Sequence, residues 1–211
     1  MYDLAEITIR SMSVAPMENN VYLLTSKSSG AQVLIDAANE ADSVLELIES
    51  GKKDSPAAHL VLIATTHCHH DHVQALGKVH QVTQARTAAG SEDAPELPVP
   101  TDVLLEQGDL GEFDGFTLEA IKLRGHTPGS VAFLYRDPHG PAHLFSGDSL
   151  FPGGLGNTQQ DPERFESLYN DVVSRVFDVL DDDTVVHPGH GAGTTLGAER
   201  PHLQEWKERG W

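Results

Sequence analysis

The chain has 211 residues, enough for one domain with a sizeable core, and its 39% hydrophobic and 22% charged content is that of an ordinary soluble globular protein. A formal charge of −18 at pH 7, from 14 basic and 32 acidic side chains, repels phosphate backbones and argues against a nucleic-acid partner. No apolar run approaches the roughly 20 residues of a membrane span. Met1 to Arg10 carries acids rather than a secretory signal, and the single cysteine, Cys68, precludes an internal disulfide. A cytoplasmic protein with no membrane attachment is therefore expected.

In chain order, Glu6 to Arg10 and Val21 to Thr25 read as strands joined by a turn over Pro16 to Asn20, and Gln32 to Asp36 as a third strand ending on a carboxylate. Asp42 to Ser50 predicts an amphipathic helix with Val44, Leu45 and Ile48 on one face. Ser43 and Glu46 form its expected capping box, and Gly51 stops it. Leu60 to Ala64 is the apolar run of a buried strand, and Val73 to Leu76 reads as the opening of a helix. Thr87 to Pro100, rich in Ala, Pro, Asp and Glu, reads as a surface excursion. Val103 to Leu105, Phe116 to Leu123, Val131 to Tyr135 and Ala142 to Phe145 are four more short strands. Phe165, Leu168, Tyr169, Val172, Val176, Phe177 and Leu180 then predict a helix over 165 to 180, with Asp161 as N-cap and Pro162 in the first turn. A strand over Thr184 to His187 and a short helix near Pro201 to Arg209 close the chain. Strands in meander order with helices interspersed pack naturally as two sheets covered by helices, in a single domain over 1–211.

The chemistry concentrates between the Leu60–Ala64 strand and the following helix. His67, His69, Asp71 and His72 place four potential ligands within six residues, on a short loop whose end a sheet holds rigid. Imidazole with carboxylate suits zinc, iron or manganese. Adjacent Asp71 and His72 cannot easily face the same ion as His67 and His69, so the spacing points to two ions, a hydrolase's device more often than a structural one. Three later segments each run an apolar strand into a Gly-flanked polar residue: Gly125-His126-Thr127-Pro128-Gly129, Gly147-Asp148 and Pro188-Gly189-His190-Gly191. Adding His126, Asp148 and His190 gives five histidines and two aspartates, enough for two ions, a bridging carboxylate and a bridging water. Cys68 reads as a small packed side chain, His70 and His187 as non-ligands. Lys122, Arg124 and Arg164 are candidates for a substrate anion, although a solvated face serves them as well.

These four motifs, in this order across essentially the whole chain, resemble the metallo-β-lactamase superfamily, and within it the glyoxalase II-like (hydroxyacylglutathione hydrolase-like) enzymes. The resemblance implies an αββα sandwich of two mixed sheets flanked by helices, with metals at one edge between the sheets. It implies one ion on His67, His69 and His126, a second on Asp71, His72 and His190, and Asp148 bridging them. The expected cofactors are two divalent ions, zinc first, with iron or manganese as alternatives. The implied activity is hydrolysis of a small-molecule thioester by metal-activated hydroxide, with Asp71 and Asp148 as catalytic carboxylates. Asp148 stands where class B β-lactamases carry Cys or Ser, and His69 where flavodiiron proteins carry Glu, which argues against those uses. Residues 154 to 160 replace the usual Gly-Arg-Thr-Asp type loop, and the helical glutathione-binding domain is not expected in this chain. An iron-dependent persulfide dioxygenase using His67, His126 and Asp148 is the alternative, with a lactonase of the same fold and a non-catalytic metal-binding module behind it.

Overall fold

Two mixed sheets packed face to face, with helices on both outer surfaces, form the architecture of the computed structural model, which describes residues 1–210. The first sheet has seven strands in sequence order: β1 (Tyr2–Asp3), β2 (Ile7–Val14), β3 (Asn19–Ser26), β4 (Ala31–Ile35), β5 (His59–Ala64), β6 (Arg86–Gly90) and β7 (Val103–Leu105). Its first half is an antiparallel meander and its second half is parallel. The parallel crossovers carry α1 (Ala41–Ser50), then α2 (His70–Val73) and α3 (Leu76–Thr83). The chain continues through β8 (Leu110–Phe113), β9 (Phe116–Lys122), β10 (Val131–Tyr135) and β11 (His143–Gly147), and a small hairpin of β12 (Leu150–Phe151) and β13 (Gly154–Leu155). After α4 (Pro162–Val172) come β14 (Val185–Pro188), β15 (Thr194–Thr195), α5 (Leu196–Glu199) and α6 (Leu203–Arg209). The second sheet runs β15-β14-β11-β10-β9-β8.

Period-two alternation sorts the side chains into three apolar layers. Along β3, Tyr22 faces inward with Leu24, meeting Val33, Ile35, Phe133 and Phe145 between the sheets, while Val21 and Leu23 face outward onto Val44, Leu76 and Val79. On the far side Leu134, Leu144 and Val186 meet Leu168, Val172, Phe177 and Trp206. Each large side chain so buried contributes roughly 1.5–3 kcal/mol relative to exposure. Asp161 caps α4 by accepting from the Glu163 and Arg164 amides, and Pro162 opens the helix, as its sequence predicts. The stripe beyond Val172 is buried as expected, but the backbone over Val173–Phe177 widens into a π-type turn.

Three sequence expectations differ from the fold. Thr87–Gly90 belongs to a buried interior strand, not a surface excursion. Its residues are small because space is short: a Cβ on Gly90 would lie 1.9 Å from the Gly129 carbonyl oxygen. Ser43 and Glu46 do not cap α1. Glu40 occupies the N-cap in a left-handed conformation, and Ser43 donates back to its carboxylate at 3.3 Å. The helix expected from Val73 starts at His70, which places Asp71 and His72 in its first turn. The short strands β8, β12, β13 and β15 have no sequence signal strong enough to announce them.

Topology gathers the ligand loops. Strands β9 and β11 each pair antiparallel with β10 and so run the same way, and β14 is parallel to β11. The segments after them, carrying His126, Asp148 and His190, therefore leave the second sheet at one edge. Two cross-sheet bonds fix the first sheet against that edge: the Val131 amide donates to the Thr66 carbonyl at 2.8 Å, and the Asn20 amide to the Gly189 carbonyl at 2.7 Å.

Candidate metal centre

All seven residues singled out from the sequence converge at this edge. Ligand atoms of His67, His69 and His126 lie within 4.8 Å of one another, and so do those of Asp71, His72 and His190. Asp148 stands between the two groups. Its Oδ2 is 3.5 Å from His126 Nε2, 4.0 Å from His67 Nε2 and 3.4 Å from His190 Nε2, while its Oδ1 is 3.4 Å from His72 Nε2. Asp71 Oδ2 lies 3.3 Å from His190 Nε2 and 3.6 Å from His72 Nε2.

The rings are aimed from behind. His67 Nδ1 bonds to Thr66 Oγ1 at 2.9 Å and His72 Nδ1 to Asp36 Oδ2 at 2.9 Å. His126 Nδ1 bonds to the Asn157 carbonyl at 2.8 Å and His190 Nδ1 to the Met17 carbonyl at 2.8 Å. Because Thr66 Oγ1 also donates to Asp36 Oδ2 at 2.8 Å, its remaining role toward His67 is acceptor. In each case the proton is held on Nδ1 and Nε2 is left to face the centre, the arrangement that orients a metal-binding histidine. The Nε2 atoms of His67 and His126 and the Oδ1 of Asp148 are buried without a hydrogen-bond partner, and such groups are costly unless something charged or polar completes them. This donor set of imidazoles and carboxylates fits divalent zinc, iron or manganese. The cradle is also tight: a Cβ on Gly189 would lie 2.2 Å from Asp148 Oδ1 and 2.8 Å from His72 Cε1.

Charge follows the same division. Burial, joined by neighbouring His72, holds His67 well below the usual histidine range, and burial likewise lowers His126. Burial also opposes the charge on His72, but the carboxylates of Asp148 and Asp36 beside it outweigh this and lift it to about 10. The Asp148 carboxylate, 3.4 Å away, raises His190. Burial disfavours the Asp148 anion, yet His190 and His72 hold it far below the carboxylate range. Asp71 is likewise kept low, against burial, by the Asn19 amide at 2.8 Å and by His72.

The remaining sequence candidates fall outside the centre. His70 is exposed. His187 is buried, stacked on Phe145 and bonded through Nε2 to His143 Nδ1 at 2.9 Å, so it packs between the sheets. Cys68 is half-buried, and burial followed by Asp93 pushes its thiol up to about 12, which leaves no thiolate at neutral pH. Lys122 pairs with Glu92 and Glu106, and Arg124 with Asp171. Residues that the sequence reading passed over brace the site. Asp36 accepts from the Thr66 amide at 2.7 Å, from its hydroxyl and from His72. Asp93 accepts from the Cys68 amide at 3.0 Å, the Thr127 hydroxyl at 2.5 Å and the Gly129 amide at 2.7 Å, joining two ligand loops. The one visible signal was Asp36 closing an apolar strand.

Residues 14–190 match the Metallo-beta-lactamase superfamily. A hydroxyacylglutathione hydrolase, GloC, from Haemophilus influenzae is 28% identical over 212 residues, covering 92% of this chain and 95% of the relative. The mitochondrial persulfide dioxygenase ETHE1 of Homo sapiens is 30% identical over 191 residues, covering 88% of this chain and 69% of that one. The crystal structure of TTHA1623 in a di-iron-bound form superposes with a TM-score of 0.72 at 29% identity, covering 90% of this chain and 96% of the other. With the two-sheet sandwich and a His/Asp cluster at its edge, the chain belongs to the metallo-β-lactamase superfamily.

Proposed function

We propose that this chain is a binuclear metal-dependent hydrolase that cleaves an acyl thioester of a low-molecular-weight thiol. The observation that carries the reading is that two complete three-residue ligand sets flank one carboxylate, Asp148. His67, His69 and His126 would hold one ion, Asp71, His72 and His190 the other, with Asp148 shared between them. A pair of divalent ions supplies, when bound, a water whose pKa falls from 15.7 toward about 7, together with polarisation of a carbonyl oxygen.

The protein's own groups set the geometry. Asp71, held ionised and steered at Oδ2 by the Asn19 amide, would both help hold the second ion and orient the reacting water toward the substrate. An aspartate kept this acidic is a poor proton sink, which makes orientation its contribution. The departing thiolate has an ordinary pKa near 8.5 and leaves without a strong general acid. Cys68, held protonated, does not compete as a nucleophile. Relatedness to GloC supports the thioester class.

A second reading rests on the similarity to a persulfide dioxygenase and on His67, His126 and Asp148 as a two-histidine, one-carboxylate set for a single iron. It leaves His69 and the Asp71/His72/His190 set without employment. Metal analysis followed by a thioester panel over several carrier thiols separates the two. Two ions per chain with thioester turnover are expected. One iron per chain with persulfide-dependent oxygen uptake would replace the hydrolase reading.

A further inference from the structure

A cavity of about 670 Å³ opens directly beside His69 and His126, and Arg124, Glu163 and Arg164 project into its wall. Two guanidinium groups at this spot are unusual on a chain with a net charge of −18. Their local neutralisation is incomplete. Arg124 donates through Nε and Nη2 to Asp171 at 2.8 and 2.9 Å, but Asp171 is also claimed by Arg175 Nη2 at 3.1 Å, so one carboxylate serves two cations. The Arg124 side chain remains 47% exposed. Arg164 is bound only to carbonyls, from Nε to Gly125 at 2.8 Å and from Nη2 to His126, and it has no carboxylate partner among the described residues. Both groups are therefore fixed in place by bonds on one side and carry charge in excess of the acids around them. Glu163 on the wall and Glu92, which acts on Arg124 from outside it, offset part of that excess; the wall itself carries two cations, Arg124 and Arg164, against one anion.

We infer that this cavity is a carboxylate subsite: the substrate carries an anionic carboxylate that docks on Arg124 and Arg164 while its thioester carbonyl lies at the metal centre. The inference rests on the hydrolase reading above and narrows its substrate class to acyl thioesters with a carboxylate on one arm. The planar guanidinium fork matches carboxylate geometry, and preformed hydrogen bonds reduce the ordering that binding requires. Arg164 has a second task as a positioning residue, because the same guanidinium holds the backbone of the ligand His126.

The test compares pairs that differ only in the anion. S-succinyl-N-acetylcysteamine against S-butyryl-N-acetylcysteamine probes the acyl arm, and the butyryl thioester of 3-mercaptopropionate against that of 1-propanethiol probes the thiol arm. With zinc-loaded protein, one carboxylate substrate should exceed the neutral one about tenfold in kcat/KM, through KM, as one charge-assisted contact provides. In Arg124→Gln that ratio should collapse toward one, and Arg124→Lys should restore part of it. Metal content measured on each variant separates loss of the subsite from loss of the centre. A second readout needs no turnover: calorimetry should show glutarate binding zinc-loaded protein about tenfold tighter than butyrate, with the difference absent in Arg124→Gln. If no thioester is cleaved but glutarate is still preferred through Arg124, the thioesterase reading fails and the subsite stands. If neither anion is preferred, or the preference survives in Arg124→Gln, the carboxylate subsite is overturned.

Discussion

Replacing Asp36 by Asn is the sharpest probe of how the second ion site is made. Asp36 touches no proposed ion, is 2% exposed, and accepts three hydrogen bonds at 2.7, 2.8 and 2.9 Å. Its backbone is left-handed at φ 58°, a conformation Asn tolerates as well as Asp, so the loop itself is spared. Asn keeps one acceptor for the Thr66 amide but turns an NH₂ group toward His72 Nδ1. Donor would then face donor, and His72 relieves it by moving its proton to Nε2, the atom that must bind metal. Loss of such an outer partner costs about 10- to 100-fold in metal affinity, or roughly 1.4–2.7 kcal/mol. Asp36→Ala is less informative. It strands three buried donors at about 1–3 kcal/mol each, which approaches a typical domain's whole stability. Chelator competition monitored for each ion should show the larger loss for the ion on Asp71, His72 and His190. Unchanged affinity of that ion in a folded Asp36→Asn protein would refute the tautomer argument.

Further consequences follow from the same geometry. Asp148→Ala should lose metal and activity together, whereas His70→Ala, at an exposed position, should retain both; full turnover by Asp148→Ala would remove the bridging role. Gly189→Ala drives a Cβ into Asp148 and His72, and should cost about 1–3 kcal/mol of stability and lower the ion count; normal loading and melting temperature would contradict the tight cradle. Burial, then His143, pushes buried His187 down to about 3. The unfolded chain therefore takes up a proton near pH 6.5 that the native state refuses. The associated stability is complete above pH 6.5 and lost as pH falls toward 3, by up to about 5 kcal/mol. Urea titrations from pH 7 to 4.5 should show His187→Gln with a slope shallower by about 1.4 kcal/mol per pH unit, and parallel slopes would sink the assignment.

The sequence made the reacting layer legible because ligands cluster where strands end. His67, His69, Asp71 and His72 sit together after an apolar run, and His126, Asp148 and His190 each follow a strand and sit beside glycine. Alternation and helical spacing likewise exposed the sandwich and its flanking helices, since burial on one face imposes a period. The strand Arg86–Gly90 stayed hidden because a sheet interior that must admit Gly129 and the ligand loop has room only for Thr, Ala and Gly, and small residues carry no hydrophobic period. The bracing layer stayed hidden for a different reason. Asp36, Asn19 and Asp93 act on residues 30, 52 and 34 positions away in sequence, and nothing local distinguishes them from surface polar residues. Those residues nevertheless decide the chemistry. An imidazole presents its Nε2 lone pair when its proton is kept on Nδ1, and for four of the five histidines a hydroxyl, a carboxylate and two carbonyls, from four different segments, accept a hydrogen bond from that Nδ1–H. A chain that kept all seven ligands but lost these acceptors would match the same motifs and bind metal poorly. Folding, by bringing the acceptors to the rings, is therefore what converts the motif into a candidate metal site.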